Sequence, residues 1–507
     1  MNQTPVSAQQ YPGDAQRSLI TLALVLATIL TTVASTIANT VLPQIRAGTG
    51  ASPTEISWVL TSFILAGVVV TPTIGWLEHR FGRRNLLLVA LTGFTLASAA
   101  CGFATNIYQM VLFRVLQGAL GAMFIPVSQA VLLDINPPEK HGQAMAVWGM
   151  GAVLGPIIGP ILGGWLSEYF DWRWVFFMNI PLSVLAFFLI ATSMPKHERK
   201  AAQRFDSFGF LALSAGVIGL QLMLDRGSSQ EWFASPEIWT YLAISLLGFH
   251  LFIVHVLTSE RPIIHRSILA DRNFIIAAVL IFFIGILMFA GAAVLPTLMQ
   301  TLLGYPVLAT GLAQTPRGIG TLISMVIVGR LVGKVDSRFI ILTGVSLTAW
   351  SYFEMSQFSL DMDDRLILIS GLLQGLGLGL IFVPLMALAF TTIKPELRTE
   401  AASFFTLIRN IGSSIGISLV GLLQIINGKT MQSQLAEYAT PDNPNVIASL
   451  PPQVDLTTAQ GQAMMNGMIQ RQATLVAYID SFHFLFMTCL FILPLLFLLR
   501  TKRVTHV

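Results

Sequence analysis

The chain has 507 residues, of which 54% are hydrophobic and only 11% are charged, and its formal net charge is +4. Soluble domains carry about 25% charged residues, so this composition excludes a water-soluble globular protein. The two cysteines, Cys101 and Cys489, both fall inside apolar runs, which indicates neither a disulfide framework nor a thiolate metal site.

Apolar runs of about 20 residues, the length that crosses a bilayer as a helix, recur along the whole chain. The first run follows a polar leader and is too long for the core of a signal peptide, so we expect it to be retained as a span. We predict about 14 spans, at residues 19–43, 55–75, 85–104, 107–133, 143–167, 174–194, 207–225, 238–257, 273–298, 308–332, 339–358, 365–391, 399–426 and 476–499.

The basic residues are distributed unevenly between the two sides of these spans. With the N-terminus placed inside, the inner segments hold about 20 Lys and Arg and the outer loops about 6. Positively charged loops stay cytoplasmic, so we expect both termini in the cytoplasm. The basic excess is therefore a topology signal and does not indicate a nucleic-acid partner.

The two halves of the chain resemble each other. The segment LQGALGAMFIP (116–126) returns as LQGLGLGLIFVP (373–384), GWLEHRFGRR (75–84) has a weaker counterpart in GRLVGKVDSR (329–338), and Gly155 has a partner in Gly416. Chance similarity between Gly-rich helices explains one such pair better than three at offsets of 257, 254 and 261 residues. Paired repeats around a central site are typical of secondary transporters.

The repeat predicts an all-α polytopic membrane protein with two six-helix halves and two helices inserted between them. We expect a cytoplasmic N-terminal segment at 1–18, a first half at 19–194, a linker with two inserted helices at 195–257, a second half at 258–499 and a cytoplasmic tail at 500–507. The second half contains the largest loop, at 429–474, which is expected outside, and its part 458–473 has the pattern of an amphipathic helix.

Six motifs, in order, resemble those of the major facilitator superfamily, and specifically its 14-span drug:proton antiporters. They are STIANTVLP (35–43), GWLEHRFGRR (75–84), FRVLQG (113–118), GPIIGPILGG (155–164), WRWVFFMNIP (172–181) and AASFFTLIRNIGSSIG (401–416). A seventh, LQLMLDRG (220–227), is similar to a segment of the inner-membrane pumps of Emr-type multidrug efflux systems. The resemblance implies the major facilitator fold in a bacterial inner membrane and a cycle of alternating access.

Two of these motifs predict moving parts. The resemblance implies a gating loop between spans two and three, with Gly75, His79, Arg80, Gly82, Arg83 and Arg84. It also implies an antiporter-motif helix with Gly151, Gly155, Pro156, Gly159, Pro160, Gly163 and Gly164. Small residues at helical spacing let another backbone approach closely, so we expect this helix at the surface where the two halves rock. Tight packing, as in any polytopic protein, is the simpler alternative.

Polar residues at membrane depth are the candidates for the substrate pathway. Charges there are costly and tend to be functional, which singles out Arg114, Arg317 and Arg409. They either bind an anionic group or are satisfied by helix carbonyls. The uncharged candidates Asn39, Gln117 and Gln374 either line the same pathway or join helices by hydrogen bonds.

The expected proton carrier is missing from its usual place. The family has an acid in the first span where this chain has Ala34, and an acid in the gating loop where it has His79. Asp225, Glu354 and Asp480 remain, near the outer ends of their spans. Asp480, with His483 one turn later, is the carrier that we predict first; the alternative is an acid in water with an ordinary pKa.

The resulting functional prediction is proton-coupled efflux of small amphipathic compounds. One alternative is an exporter of a single metabolite such as a siderophore or a fatty acid, which Arg317 and Ala34 favour; another is a membrane sensor that binds without transporting. An enzyme is not expected, because the spans show no clustered catalytic or metal-binding residues. ATP is not expected either, because NGKT (427–430) lacks the first glycine of a phosphate-binding loop. We predict no cofactor and no metal.

The resemblance also implies partners outside the bilayer. Emr-type pumps work with a periplasmic adaptor protein and an outer-membrane channel. The loop 429–474 is then a docking surface or lid, or else a passive cover.

Overall fold

The computed structural model describes residues 11–52, 55–195, 204–260, 262–332, 334–438 and 456–499, and these residues are almost entirely helical. The helices are α1 (Asp14–Thr40), α2 (Leu42–Thr49), α3 (Trp58–Val70), α4 (Ile74–Phe81), α5 (Arg83–Phe103), α6 (Ile107–Gly121), α7 (Phe124–Ile135), α8 (His141–Tyr169), α9 (Trp174–Phe177), α10 (Asn179–Ser193), α11 (Ser207–Gly227), α12 (Pro236–Thr258), α13 (Arg266–Ala270), α14 (Arg272–Thr301), α15 (Val307–Ala313), α16 (Thr315–Leu331), α17 (Ser337–Met355), α18 (Asp364–Phe390), α19 (Arg398–Tyr438) and α20 (Ala459–Leu496).

The predicted class, an all-α polytopic membrane protein, is confirmed. Within the described ranges, 12 helical segments are long and apolar enough to cross a membrane. The predicted spans at 308–332 and 339–358 are helical but are not among these 12. The first is divided between α15 and α16, which has only 17 residues, and α17 mixes polar side chains into its 19 residues.

Packing divides the helices into two bundles. In the first, α1 packs on α8 and α10, while α5 and α3 pack on α6. In the second, α18 packs on α16 and α17, while α19 packs on α14 and α20. The bundles meet where α8 contacts α16 and α18, and where α19 contacts α4 and α7. The inserted helices α11 and α12 pack on each other, and α11 also contacts α3 and α19.

Both described chain ends lie at one face of the molecule, which we call the terminal face. Gln16, near the start of α1, donates to the carbonyl of Ser193 at the end of α10. Arg338, at the start of α17, donates to the carbonyl of Leu499. The other end of the bundle is called the opposite face.

The segment predicted as the loop 429–474 is largely helical where the structure describes it. The helix α19 continues to Tyr438, and α20 already begins at Ala459. Gly428 of α19 lies beside Ala477 of α20, so the two helices support each other as an antiparallel pair. A polar sequence does not end a helix that has a packed neighbour, which is why much of this segment is helical; its place outside the membrane stays a prediction. Residues 439–455 lie outside the described residues.

The glycines of α8 face α1, which belongs to the same half. A Cβ atom added at Gly155 would lie 2.1 Å from Oγ1 of Thr32, one at Gly159 would lie 2.4 Å from Oγ1 of Thr36, and one at Gly163 would lie 2.2 Å from Oγ1 of Thr40. The stripe is therefore a close-packing surface, whereas the helix itself lies between the halves through its contacts with α16 and α18. The glycines bring α1 and α8 together inside the first half.

Another side of α8 carries the contact between the halves. Ile157 and Ile161 pack against Gly318 of α16 and Gly311 of α15. Pro156 and Pro160 lie inside α8, which nevertheless stays helical over 29 residues. The helix thus has a glycine side that is fixed on α1 and an isoleucine side that faces the second half.

Replacement of Gly155 by Val tests this packing. The added side chain has no space beside Thr32, and such overpacking costs about 1–3 kcal/mol, so we expect a lower melting temperature in detergent. Gly164→Val is the matched control, because a Cβ atom at Gly164 meets nothing within 4 Å. Equal melting temperatures for the two variants would contradict the assignment.

Candidate functional site

Arg114 of α6 is fully buried and satisfied largely by carbonyl and amide oxygens. Its Nε donates to the carbonyl of Val59 at 2.9 Å, and its Nη1 donates to the carbonyl of Ala34 at 3.2 Å and to Oε1 of Gln117 at 2.7 Å. The guanidinium also lies over the ring of Phe63, 4.2 Å from its centre. Arg114 thereby joins α1, α3 and α6, and Ala34, at the usual position of the family's acid, contributes its carbonyl instead.

Gln117 extends this network into the first half. Its Nε2 donates to Oγ of Ser98 at 3.0 Å, and Nδ2 of Asn179 donates to the same oxygen at 3.1 Å. The hydroxyl of Ser98 donates in turn to the carbonyl of Phe176. Gln117 therefore joins helices by hydrogen bonds, which was one of the two predicted alternatives.

Arg317 of α16 is partly exposed and makes one hydrogen bond, from Nη2 to the carbonyl of Met288 in α14 at 3.0 Å. Its backbone lies against Gly375 of α18, where an added Cβ atom would lie 1.9 Å from the Arg317 carbonyl oxygen. Gln374, also on α18, is 1% exposed. Its carboxamide lies close to the hydroxyl of Tyr352, which donates to the carbonyl of Leu287 at 2.5 Å.

Arg409 of α19 is 9% exposed, and its Nη2 donates to Oδ1 of the adjacent Asn410 at 3.3 Å. Its Nε has no hydrogen-bond partner. Among the described residues, the ion pairs include no carboxylate partner for Arg114, Arg317 or Arg409. The interior of the helical bundle thus contains three cations without a counter-charge, an arrangement that attracts anions.

The predicted pair of Asp480 and His483 does not form. The carboxylate of Asp480 accepts from Nδ2 of Asn427 at 2.9 Å, and this contact joins α19 and α20 within the second half. His483 is exposed, with its ring 5.9 Å from that of Phe486. The exposed Asn39 lies near the opposite-face end of α1. The structure thus leaves these candidates apart from the three arginines.

The gating loop docks on the second half at the terminal face. A Cβ atom at Gly75 would lie 3.3 Å from Cα of Glu400, at the start of α19. Gly82 turns the chain into α5 with φ = 76°, a conformation that favours glycine. His79 bonds the carbonyl of Gly75 through Nδ1, and the guanidinium of Arg80 lies over the ring of Trp76. Arg84 donates to a backbone carbonyl of α10, that of Ala191.

One carboxylate in this region bridges the two halves. Asp134, at the end of α7, accepts from Arg83 through one oxygen and from Arg398 of the second half through the other. Arg83 also pairs with Glu78. Asp134 and Arg398 were missed from sequence because they are 264 residues apart. The sequence feature that could have indicated this bridge was Asp134 itself, a single acid at the end of a span that lies on the same side as a basic loop.

Above this ion network, aromatic and apolar side chains close the gap between the halves. The fully buried Trp148 of α8 stacks on Phe382 of α18, with 6.1 Å between ring centres and an angle of 17° between ring planes. Its Nε1 donates to Oγ1 of Thr28 in α1. Met325 of α16 lies against Gly149. The halves are therefore closed against each other on the side of the terminal face.

Two halves of apolar helices that are joined at one face by an ion network and an aromatic stack define a polytopic membrane transporter. The chain belongs to the Major Facilitator Superfamily, whose model matches residues 24–417. The family predicted from the six motifs is thus confirmed.

Relatives match most of the chain. The multidrug export protein EmrB of Escherichia coli (strain K12) is 34% identical over 469 residues, which cover 92% of this chain and 91% of that protein. The fatty acid resistance protein FarB of Neisseria gonorrhoeae is 32% identical over 446 residues, which cover 87% of this chain and 88% of that protein. Similarity of this extent includes both halves and the inserted helices.

Solved structures show the same fold. The human organic anion transporter MFSD10 (TETRAN) superposes with a TM-score of 0.59 at 13% identity, covering 93% of this chain and 99% of that chain. An inward-facing, unoccupied bacterial homolog of the human lysosomal transporter Spinster gives a TM-score of 0.58 at 15% identity, covering 97% of this chain and 100% of that chain.

The bridge at Asp134 can be tested by cysteine labelling, because both native cysteines are buried. In an otherwise native chain carrying Met325→Cys, a residue that is 1% exposed, we expect slow labelling from the terminal face. Asp134→Asn weakens two charge-assisted hydrogen bonds, of which only the one from Arg398 joins the halves, and such a bond contributes about 1.5 kcal/mol or more. Labelling should therefore accelerate by about tenfold.

Glu237→Gln is the control for this experiment, because it weakens an ion pair with Arg226 that lies within the inserted helices. If both substitutions accelerated labelling equally, Asp134 would not be the bridge that closes the terminal face.

Proposed function

We propose that this chain is a secondary efflux transporter that exports small amphipathic compounds across a bacterial inner membrane by alternating access, driven by protons. The observation that supports this function most directly is the bridge from Asp134 to Arg398, which joins the two halves at the terminal face. Most of the chain also resembles a relative named as a multidrug export protein. The cycle requires no ATP and no enzymatic step.

In the mechanism that follows from this geometry, the two halves alternate between closure at the terminal face and closure at the opposite face. The Asp134 network and the stack of Trp148 on Phe382 form the first closure. Opening the terminal face requires the gating loop to leave the start of α19. One proton that enters across 100 mV provides about 2.3 kcal/mol, which is comparable to the free energy of the charged hydrogen bonds that must break.

Both termini lie in the cytoplasm in this proposal, so that the terminal face is cytoplasmic. The helix α19 has 41 residues, which at 1.5 Å per residue corresponds to about 60 Å. This is about twice the thickness of the hydrocarbon core. The C-terminal end of α19 and the N-terminal end of α20 therefore project from the opposite face. We propose that they dock a periplasmic adaptor protein that leads to an outer-membrane channel.

A second candidate is the export of one class of amphipathic anion, such as a fatty acid. The three arginines without a carboxylate partner favour it, because a bound anion would supply the missing counter-charge. A relative named as a fatty acid resistance protein also supports it. Arg317 and Arg409 are the better candidates for contact with such a headgroup, since Arg114 is occupied by carbonyls of its own half.

Transport assays in proteoliposomes distinguish these candidates. Ethidium and laurate, one cation and one anion of amphipathic character, are offered with an imposed pH gradient. If the protein exports drugs broadly, both should move; if it exports anions, laurate alone should move. Bound laurate without flux would instead identify a sensor.

Neutralisation of Arg317 and Arg409 to Gln tests the anion proposal further. Loss of one charge-assisted hydrogen bond costs about 1.5–3 kcal/mol, so laurate should bind about tenfold more weakly or worse. Arg173→Gln is the control, because Arg173 pairs locally with Asp171 on a partly exposed surface. Unchanged laurate affinity in both interior variants would rule out these arginines as headgroup ligands.

A further inference from the structure

The inserted helix α11 lies between the two halves. Its residues Leu213 and Val217 form one buried cluster with Val68 of α3, in the first half, and Leu407 of α19, in the second half. Any movement of α3 relative to α19 must therefore be accommodated by α11. This places α11 where the two conformations of the cycle differ.

A polar seam continues this contact toward the opposite face. Ser414 of α19 donates to Oε1 of Gln221 at 2.7 Å, and Ser418 donates to the carbonyl of Leu224 at 3.2 Å. These two hydrogen bonds attach α11 to the second half through groups that do not titrate.

The contact of the seam with the first half includes a carboxylate. Nε2 of Gln221 donates to Oδ1 of Asp225 at 2.9 Å. The side chain of Thr61 in α3 also lies close enough to interact with the Asp225 carboxylate. More than a third of Asp225 is exposed near the opposite-face end of α11, so protons from that side can reach it.

Glu354 and Asp480, the other two acids predicted near the outer ends of spans, are placed differently. Glu354 accepts from Nε1 of Trp350 on its own helix, and Asp480 accepts from Asn427. Both contacts stay within the second half and need not change when the halves move. A proton couples to a conformational change only if its binding site differs between the two states.

The charges around Asp225 leave its protonation free to change. Neither α3 nor the stretch of α19 from 410 to 428 contains a titratable side chain. On the side of α12, Arg226 is paired with Glu237, which also accepts from Tyr241, and Glu231 lies in the connecting turn. In the described part of the chain, no cation forms an ion pair with Asp225 that would hold it ionised.

We propose that Asp225, on the inserted helix between the halves, is the carboxylate that binds and releases the coupling proton. This assignment rests on the proposed proton-driven export. A proton from the opposite face adds to one carboxylate oxygen and gives a neutral acid. The neutral acid is a weaker acceptor for Thr61 than the carboxylate, so α3 separates from α11 while α11 stays attached to α19. Loss of the proton in the other conformation of the cycle restores the carboxylate and the contact.

The test measures two quantities in proteoliposomes, with ethidium and laurate as probes: substrate-dependent proton flux and downhill flux of the labelled probe. Asp225→Asn should abolish the proton flux and retain downhill flux. Asp225→Glu should keep the proton flux, and Asp480→Asn, the same change at another hydrogen-bonded acid, should leave it at the native level. Native proton flux in Asp225→Asn would overturn the assignment.

Two further outcomes separate this assignment from the proposed function. If the native protein moves a probe without moving protons, proton coupling itself fails and the assignment fails with it. If Asp225→Asn loses both fluxes, Asp225→Glu decides the matter. Recovery of the proton flux with glutamate supports a titrating role, whereas continued loss overturns it in favour of packing alone.

Discussion

One carboxylate, Asp134, holds the two halves together at the terminal face, because Arg83 of its own half and Arg398 of the other bind its two oxygens. The closed side of the molecule depends on this shared acceptor. The gating loop is fixed to the same network through Arg83, and Gly75 places it against the start of α19. A transporter needs closures that hold and also open, and a few charge-assisted hydrogen bonds at a solvated edge meet both requirements.

Glycine allows close packing of the helices inside each half. In α8 it removes side chains opposite the threonines of α1, and at Gly375 it lets α18 approach the backbone of Arg317. Because these contacts lie within halves, they need not break in the proposed movement of one half against the other. The inserted α11 lies at that surface, attached to the second half by serine hydroxyls and packed on α3 of the first half, where Asp225 lies near Thr61.

The fold class was predictable from sequence because apolar runs and ordered motifs are local features. That Arg114, Arg317 and Arg409 lie on packed helices was also predictable, because it requires only position along an apolar run. The sequence could not predict which side of α8 faces the other half. Gly155 and Ile157 are only two residues apart, yet the first faces α1 and the second faces α16. Asp480 and His483 show the same limit. Helical spacing predicted that they would pair, but Asn427 of a neighbouring helix donates to the Asp480 carboxylate instead.

The most direct test of alternating closure is the distance between two spin labels across the terminal face, at the exposed Asn85 of α5 and the exposed Phe339 of α17. The measurement is made by pulsed electron spin resonance at neutral and acidic pH, with and without laurate. Two distances whose populations change with proton and probe are expected, with the longer one enriched by Asp134→Asn. A single distance under every condition, unchanged by that substitution, would contradict the account.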